Sequence, residues 1–156
     1  MTGDNQITAG QVRDWAAGKV EIKDLIGLAP AEVEGLQGRA QFFLEGRHDE
    51  RALIMLEMLE ELDRTDPLPS LLAIEVLLRL GQSDAAEEKI ATLLQRRPDD
   101  PEVLVAQAEL LIQTGQLVPA AALLERVLGK DSDAKTPAGQ RARAVAARAS
   151  ALFEKG

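Results

Sequence analysis

The sequence has no cysteine and no tyrosine, and it carries one histidine and one tryptophan. Without cysteine there are no disulfides, zinc–thiolate sites, iron–sulfur clusters or thiol nucleophiles. The single imidazole, His48, leaves little room for a histidine-based metal site or catalytic triad. It lies beside Asp49 and Glu50 in a predicted turn, where it reads as a solvated residue. No apolar run is long enough to span a bilayer. The N-terminal stretch MTGDNQITAGQVRDW lacks the basic start and apolar core of a signal peptide, so a cytoplasmic protein is expected unless an export signal precedes this sequence. Basic residues number 18 and acidic ones 26, a formal net charge of −8. Such a chain repels phosphate backbones, which argues against nucleic acid as a partner, and no membrane association is expected. The Gly-rich phosphate cradles GxGxxG and GxxxxGK[ST] are absent, so no cofactor is expected. Glu57, Glu60, Glu61 and Asp63, like Glu87 and Glu88, read as solvated helix faces. Asp131–Ser132–Asp133 lacks the ligand spacing and terminal glutamate of a calcium loop, so no metal is assigned there. No catalytic residue can be named, and a binding protein is expected rather than an enzyme. An enzyme using helical carboxylates is the distant alternative.

What the sequence does have is helical periodicity. The hydrophobic fraction of 46% is enough to build a core. Apolar residues recur at spacings of three and four, as in Leu53, Leu56 and Leu59, or Val103, Ala106 and Leu110. Asp66 before Pro67, Asp100 before Pro101 and Thr136 before Pro137 each set a capping oxygen ahead of a proline that needs no N–H at the first helical turn. Gly46, Gly81 and Gly115 fit the tight turn inside a helical hairpin.

The period organises these signals. Pro67 and Pro101 are 34 residues apart, as are Gly81 and Gly115. The same interval separates Ala52, Ala86 and Ala120; Leu56, Ile90 and Leu124; Leu59, Leu93 and Val127; Phe43, Leu77 and Leu111; and Ala40, Ile74 and Ala108. Gly46 stands one place early, which predicts a modified turn at Arg47–His48. A helix–turn–helix repeat of this length, with a small alanine in each second helix, a glycine turn and Pro98 closing the second repeat, resembles the tetratricopeptide repeat family.

The resemblance implies an all-α fold, a right-handed α-solenoid of three helix–turn–helix repeats with an N-terminal helical arm and a C-terminal capping helix. The chain is expected to form one domain over residues 1–156: an arm at 1–29, repeats at 30–66, 67–100 and 101–134, and a capping helix at 137–154. Ala142, Val145, Ala149 and Leu152 form the stripe that faces the third repeat, with Arg141, Arg143 and Arg148 toward water. In the arm, Thr8 can cap a short helix carrying Val12 and Trp15. The arm reads either as a cap on the first repeat or as a dimerisation arm using Val12 and Trp15, which would make the protein a homodimer.

Family members bind partners in a concave groove lined by the first helix of each repeat. Carried onto this chain, the groove positions are Glu34, Gln37, Gln41, Leu44 and Glu45; Leu68, Leu71, Glu75, Leu78 and Arg79; and Glu102, Val105, Glu109, Ile112 and Gln113. The leucines, Val105 and Ile112 would form an apolar floor within a rim of glutamates and Arg79. A client protein or peptide with an apolar segment could bury that floor, unless the C-terminal helix or tight curvature fills it. Gln37 and Gln41 stand where some relatives carry a Lys/Asn clamp for acidic tails, so an apolar or mildly basic segment is expected.

The segment Gly18–Leu36, GKVEIKDLIGLAPAEVEGL, resembles the lead-in to the first repeat of the class II chaperones of type III secretion translocators. That resemblance implies a cytoplasmic, often dimeric chaperone that holds an apolar translocator soluble before export. The competing reading is a general scaffold subunit that joins proteins without protecting an insoluble client.

Overall fold

The 34-residue spacing takes shape, in a computed structural model of the chain, as a succession of helical hairpins. The structure describes residues 6–155, so the first five residues of the expected arm lie outside it. Among the described residues there are nine helices and no strand. They are α1 (Ala9–Ala16), α2 (Ile22–Leu25), α3 (Pro30–Glu45), α4 (Asp49–Leu62), α5 (Leu68–Arg79), α6 (Ser83–Arg96), α7 (Pro101–Gln113), α8 (Leu117–Lys130) and α9 (Pro137–Glu154). The pairs α3–α4, α5–α6 and α7–α8 fall within residues 30–66, 67–100 and 101–134, and α9 spans 137–154. The fold is therefore all-α, of the helical-repeat solenoid class. Two compact units, Met1–Ala73 and Ile74–Gly156, divide the chain, and the division falls inside α5.

The helix starts follow the capping chemistry. Asp66 accepts from the Leu68 N–H at 3.0 Å, Asp100 from the Glu102 N–H at 3.0 Å, and Thr136 from the Gly139 N–H at 3.0 Å. Thr8 and Gln11 form a reciprocal capping box on α1. Each oxygen satisfies a donor that the first turn would otherwise leave unpaired.

The hairpin turns are set by one left-handed residue each. Gly81 has φ +73° and Gly115 has φ +79°. The equivalent position in the first repeat is Arg47, at φ +56°, while Gly46 keeps a right-handed φ of −74°. Gly46 is small for another reason: a Cβ there would lie 2.9 Å from Cδ2 of His48. His48 is exposed, as its turn position predicts, and its ring meets the Phe43 ring edge-on at 6.3 Å. A non-glycine residue in the left-handed region costs about 1–2 kcal/mol, part of which glycine's unfolded-state freedom offsets. Arg47→Gly should therefore stabilise the protein by about 0.5–1 kcal/mol in urea unfolding. A loss of stability would instead mean that the Arg47 side chain holds a contact worth more than the strain.

In the first unit α3 packs on α4, and the arm reaches α4 through α2. Ala40, Ala52, Leu56, Leu59 and Leu62 are buried. The arm is tied to the end of α4 by polar contacts. Lys23 Nζ donates to Asp63, the Arg64 N–H donates to Glu21 at 2.9 Å, and the Arg64 guanidinium lies 5.1 Å from the centre of the Trp15 ring. Burial works to raise the Asp63 carboxyl, but the bonds from Lys23 and Thr65 overcome it and draw the group down to about 2.

In the second unit α7 packs on α6 and α8, and α9 packs on both α7 and α8. The core is formed by Leu104, Val105, Ala108, Ala120, Leu124, Val127, Ala142 and Val145. Alanines at 108, 120 and 142 let the helices approach closely. The loop before α9 is locked by Asp131, whose carboxylate accepts from the Lys135 N–H, the Thr136 N–H and the Thr136 hydroxyl at 2.9, 2.9 and 2.6 Å. The Thr136 bonds lead in holding the Asp131 carboxyl below its usual range. Asp131 thus locks the start of α9.

Candidate functional site

In the second unit, three helices present the same kind of face to one cleft of about 660 Å³. Helix α5 contributes Glu75, Leu78 and Arg79, and α7 contributes Glu109, Ile112 and Gln113. The two sets are one repeat apart, at spacings of i, i+3 and i+4 that keep each on one helical face. Helix α9 completes the wall with Arg141, Val145, Arg148 and Leu152, again a single face. Val145 is buried, Leu78 and Ile112 are half-buried, and Leu152 is 55% exposed. Leu78, Ile112 and Leu152 give the cleft an apolar floor that the chain does not fully cover.

The rim is ordered by ion pairs. Glu75 and Arg79 pair along α5 at 3.2 Å. Glu109 serves two guanidiniums: Arg141 donates to it from Nε at 3.4 Å and from Nη2, and Arg148 Nη2 donates at 3.0 Å. The Glu109 side chain is only 15% exposed, whereas that of Arg148 is 70% exposed. Burial works against the Arg141 charge, but the hydrogen bond and charge of Glu109 outweigh it and raise its affinity for the proton. Glu75 and Glu102 add to the same field. At the α5 end, Gln113 Nε2 donates to the Leu78 carbonyl at 3.1 Å.

The first unit has a smaller cleft of about 340 Å³. Gln37, Gln41, Leu44, Leu68 and Leu72 are among its lining residues, and Asp66 is its charged one. It holds no arginine, so its character is apolar and weakly acidic.

The expected groove residues are thus distributed over two clefts. Gln37, Gln41, Leu44 and Leu68 line the first, and Glu75, Leu78, Arg79, Glu109, Ile112 and Gln113 line the second. Leu71 is half-buried and lines neither of these two clefts. Val105 has to be corrected: it is 0% exposed and belongs to the core, because α9 lays Ala142 and Val145 over that part of α7. Arg141 is corrected as well. Rather than facing water, it is held against Glu109, with its side chain 26% exposed. The expected acidic rim also fails in the second unit, where three arginines and two glutamates line the cleft. Helix α9 walls this cleft without filling it. Of the arm residues, Val12 is exposed and Trp15 is half-buried, with its indole Nε1 buried and without a hydrogen-bond partner among the described residues.

Sequence reasoning missed Arg141, Arg148 and Leu152 as lining residues. Their signal was present as an i, i+4, i+7, i+11 face running through Val145, but it lies outside the repeat register. Among the described residues no helix is long and apolar enough to cross a membrane, and no group of three or more His, Cys, Asp and Glu residues could hold a metal ion.

Residues 77–148 match the family model of the tetratricopeptide repeat. The matched stretch is a little under half of the chain and lies within the second unit. No curated protein matches the chain, and no solved structure does.

Proposed function

We propose, from the premise that residues 77–148 are tetratricopeptide repeat, that this protein is a protein-binding adaptor whose clefts receive segments of a client. The observation that carries the reading is the second-unit cleft, whose floor of Leu78, Ile112 and Leu152 is left accessible beside a rim already ordered by ion pairs. Apolar side chains in a concave site gain about 25 cal/mol for each Å² a partner covers, before ordering costs are subtracted.

The narrower form of the proposal is a cytoplasmic chaperone that shields an apolar client segment, of the kind that serves type III secretion translocators. It draws support from the helical arm ahead of the first repeat and from the exposed apolar side chains of the first unit, Phe42, Ile54 and Met58. Homodimerisation through Val12 and Trp15 belongs to this form. A scaffold subunit would instead join partners that are soluble by themselves.

The test is Leu78→Glu, with binding of a leucine-rich amphipathic helical peptide read by fluorescence anisotropy. Affinity should fall about tenfold or more while helicity and melting temperature stay close to the parent values, because Leu78 is only half-buried. A large drop in melting temperature would place Leu78 in the core and withdraw the assignment.

A further inference from the structure

The lining of the second-unit cleft is richer in arginine than the chain as a whole. The chain carries −8, yet arginines outnumber glutamates among the residues that line this cleft. One pair, Glu75 with Arg79, is balanced along α5. The other group is not, because the single carboxylate of Glu109 faces both Arg141 and Arg148. Arg141 holds the more buried position with two bonds, so the surplus positive charge is presented by Arg148, at the exposed edge of the apolar floor and one helical turn from Leu152. Glu102 lies close enough to act on Arg141 but does not line the cleft. An occupant that met only the apolar floor would leave this guanidinium sharing the Glu109 carboxylate with Arg141.

We infer that the second-unit cleft takes an amphipathic segment of another protein that sets apolar side chains against Leu78, Ile112 and Leu152 and one carboxylate against Arg148. The inference rests on the adaptor reading and names the chemistry of its partner: apolar and acidic, where the sequence alone pointed to apolar or mildly basic. The acidic group adds selectivity more than affinity, since an exposed ion pair is weak and screened by salt.

Three synthetic helical peptides test it. They share one leucine stripe and differ at a single flanking position, which is Glu, Gln or Lys. Their binding to the full chain is measured by fluorescence anisotropy. The expected order is Glu over Gln over Lys, with the Glu peptide about two- to fivefold tighter than the Gln peptide at low salt. Arg148→Ala should erase that preference. Arg143→Ala should keep it, because Arg143 sits on the same helix but bonds the Ser132 carbonyl and does not line the cleft. Equal binding of the three peptides, or a preference that survives Arg148→Ala, overturns the inference while leaving the adaptor reading intact. Absence of binding by all three overturns the adaptor reading itself. A dimer seen by light scattering that dissociates on Arg148→Ala would make the occupant a second copy of this chain and likewise overturn the inference.

Discussion

Truncation of Leu124 to alanine should cost about 2–5 kcal/mol in chemical unfolding. Leu124 is 3% exposed and sits in the core that joins α7, α8 and α9. Removing its branched end deletes the transfer energy of the lost carbons and leaves a cavity among helices whose alanine contacts cannot easily close it. The same column of the repeat holds Ile90, 2% exposed, and Leu56, 1% exposed. Ile90→Ala and Leu56→Ala should therefore fall in the same range. A loss below about 1 kcal/mol at any of the three would mean that the repeat column does not point inward there.

Gly139→Ala should destabilise by about 1–3 kcal/mol, although alanine is the better helix former by roughly 1 kcal/mol. A Cβ at this position would lie 2.0 Å from Oδ2 of Asp131 and 3.1 Å from the Cα of Ala134. A carboxylate can ordinarily swing aside, but this one is held by the Lys135 N–H, the Thr136 N–H and the Thr136 hydroxyl. Moving it gives up the lock on the start of α9. The mechanism has a signature in a double-mutant cycle. With Asp131 already changed to Ala, the added methyl should become neutral or stabilising, because only helix propensity then remains. A Gly139→Ala protein more stable than the parent, with Asp131 in place, would contradict the account.

These two sites differ in how far the sequence exposes them. Leu124 could be read from the 34-residue period alone, since a column of large apolar residues recurring with a column of alanines has to lie between helices. Gly139 could not, because its constraint comes from a carboxylate eight residues earlier that folds back across the loop. The same contrast runs through the candidate site. Glu75, Leu78 and Arg79 recur one repeat later as Glu109, Ile112 and Gln113, so their common face was legible. Arg141 and Arg148 belong to α9, which follows a longer loop than the one before α7 and loses the repeat register. Position in the repeat therefore says nothing about them. Val105 failed for the complementary reason. Its column runs from exposed Gln37 through half-buried Leu71 to a buried valine, because burial at a repeat position depends on which helix comes next. After α7 and α8 that helix is α9.

The most direct measurement is an amide NMR titration of the full chain with the leucine-stripe peptide. Shifts should concentrate at Glu75–Arg79 on α5, at Glu109–Gln113 on α7 and along Arg141–Leu152 on α9, and the core amides around Leu124 should stay in place. Shifts centred instead on the outer residues Ile54 and Met58, or spread through the core, would contradict a binding site in this cleft.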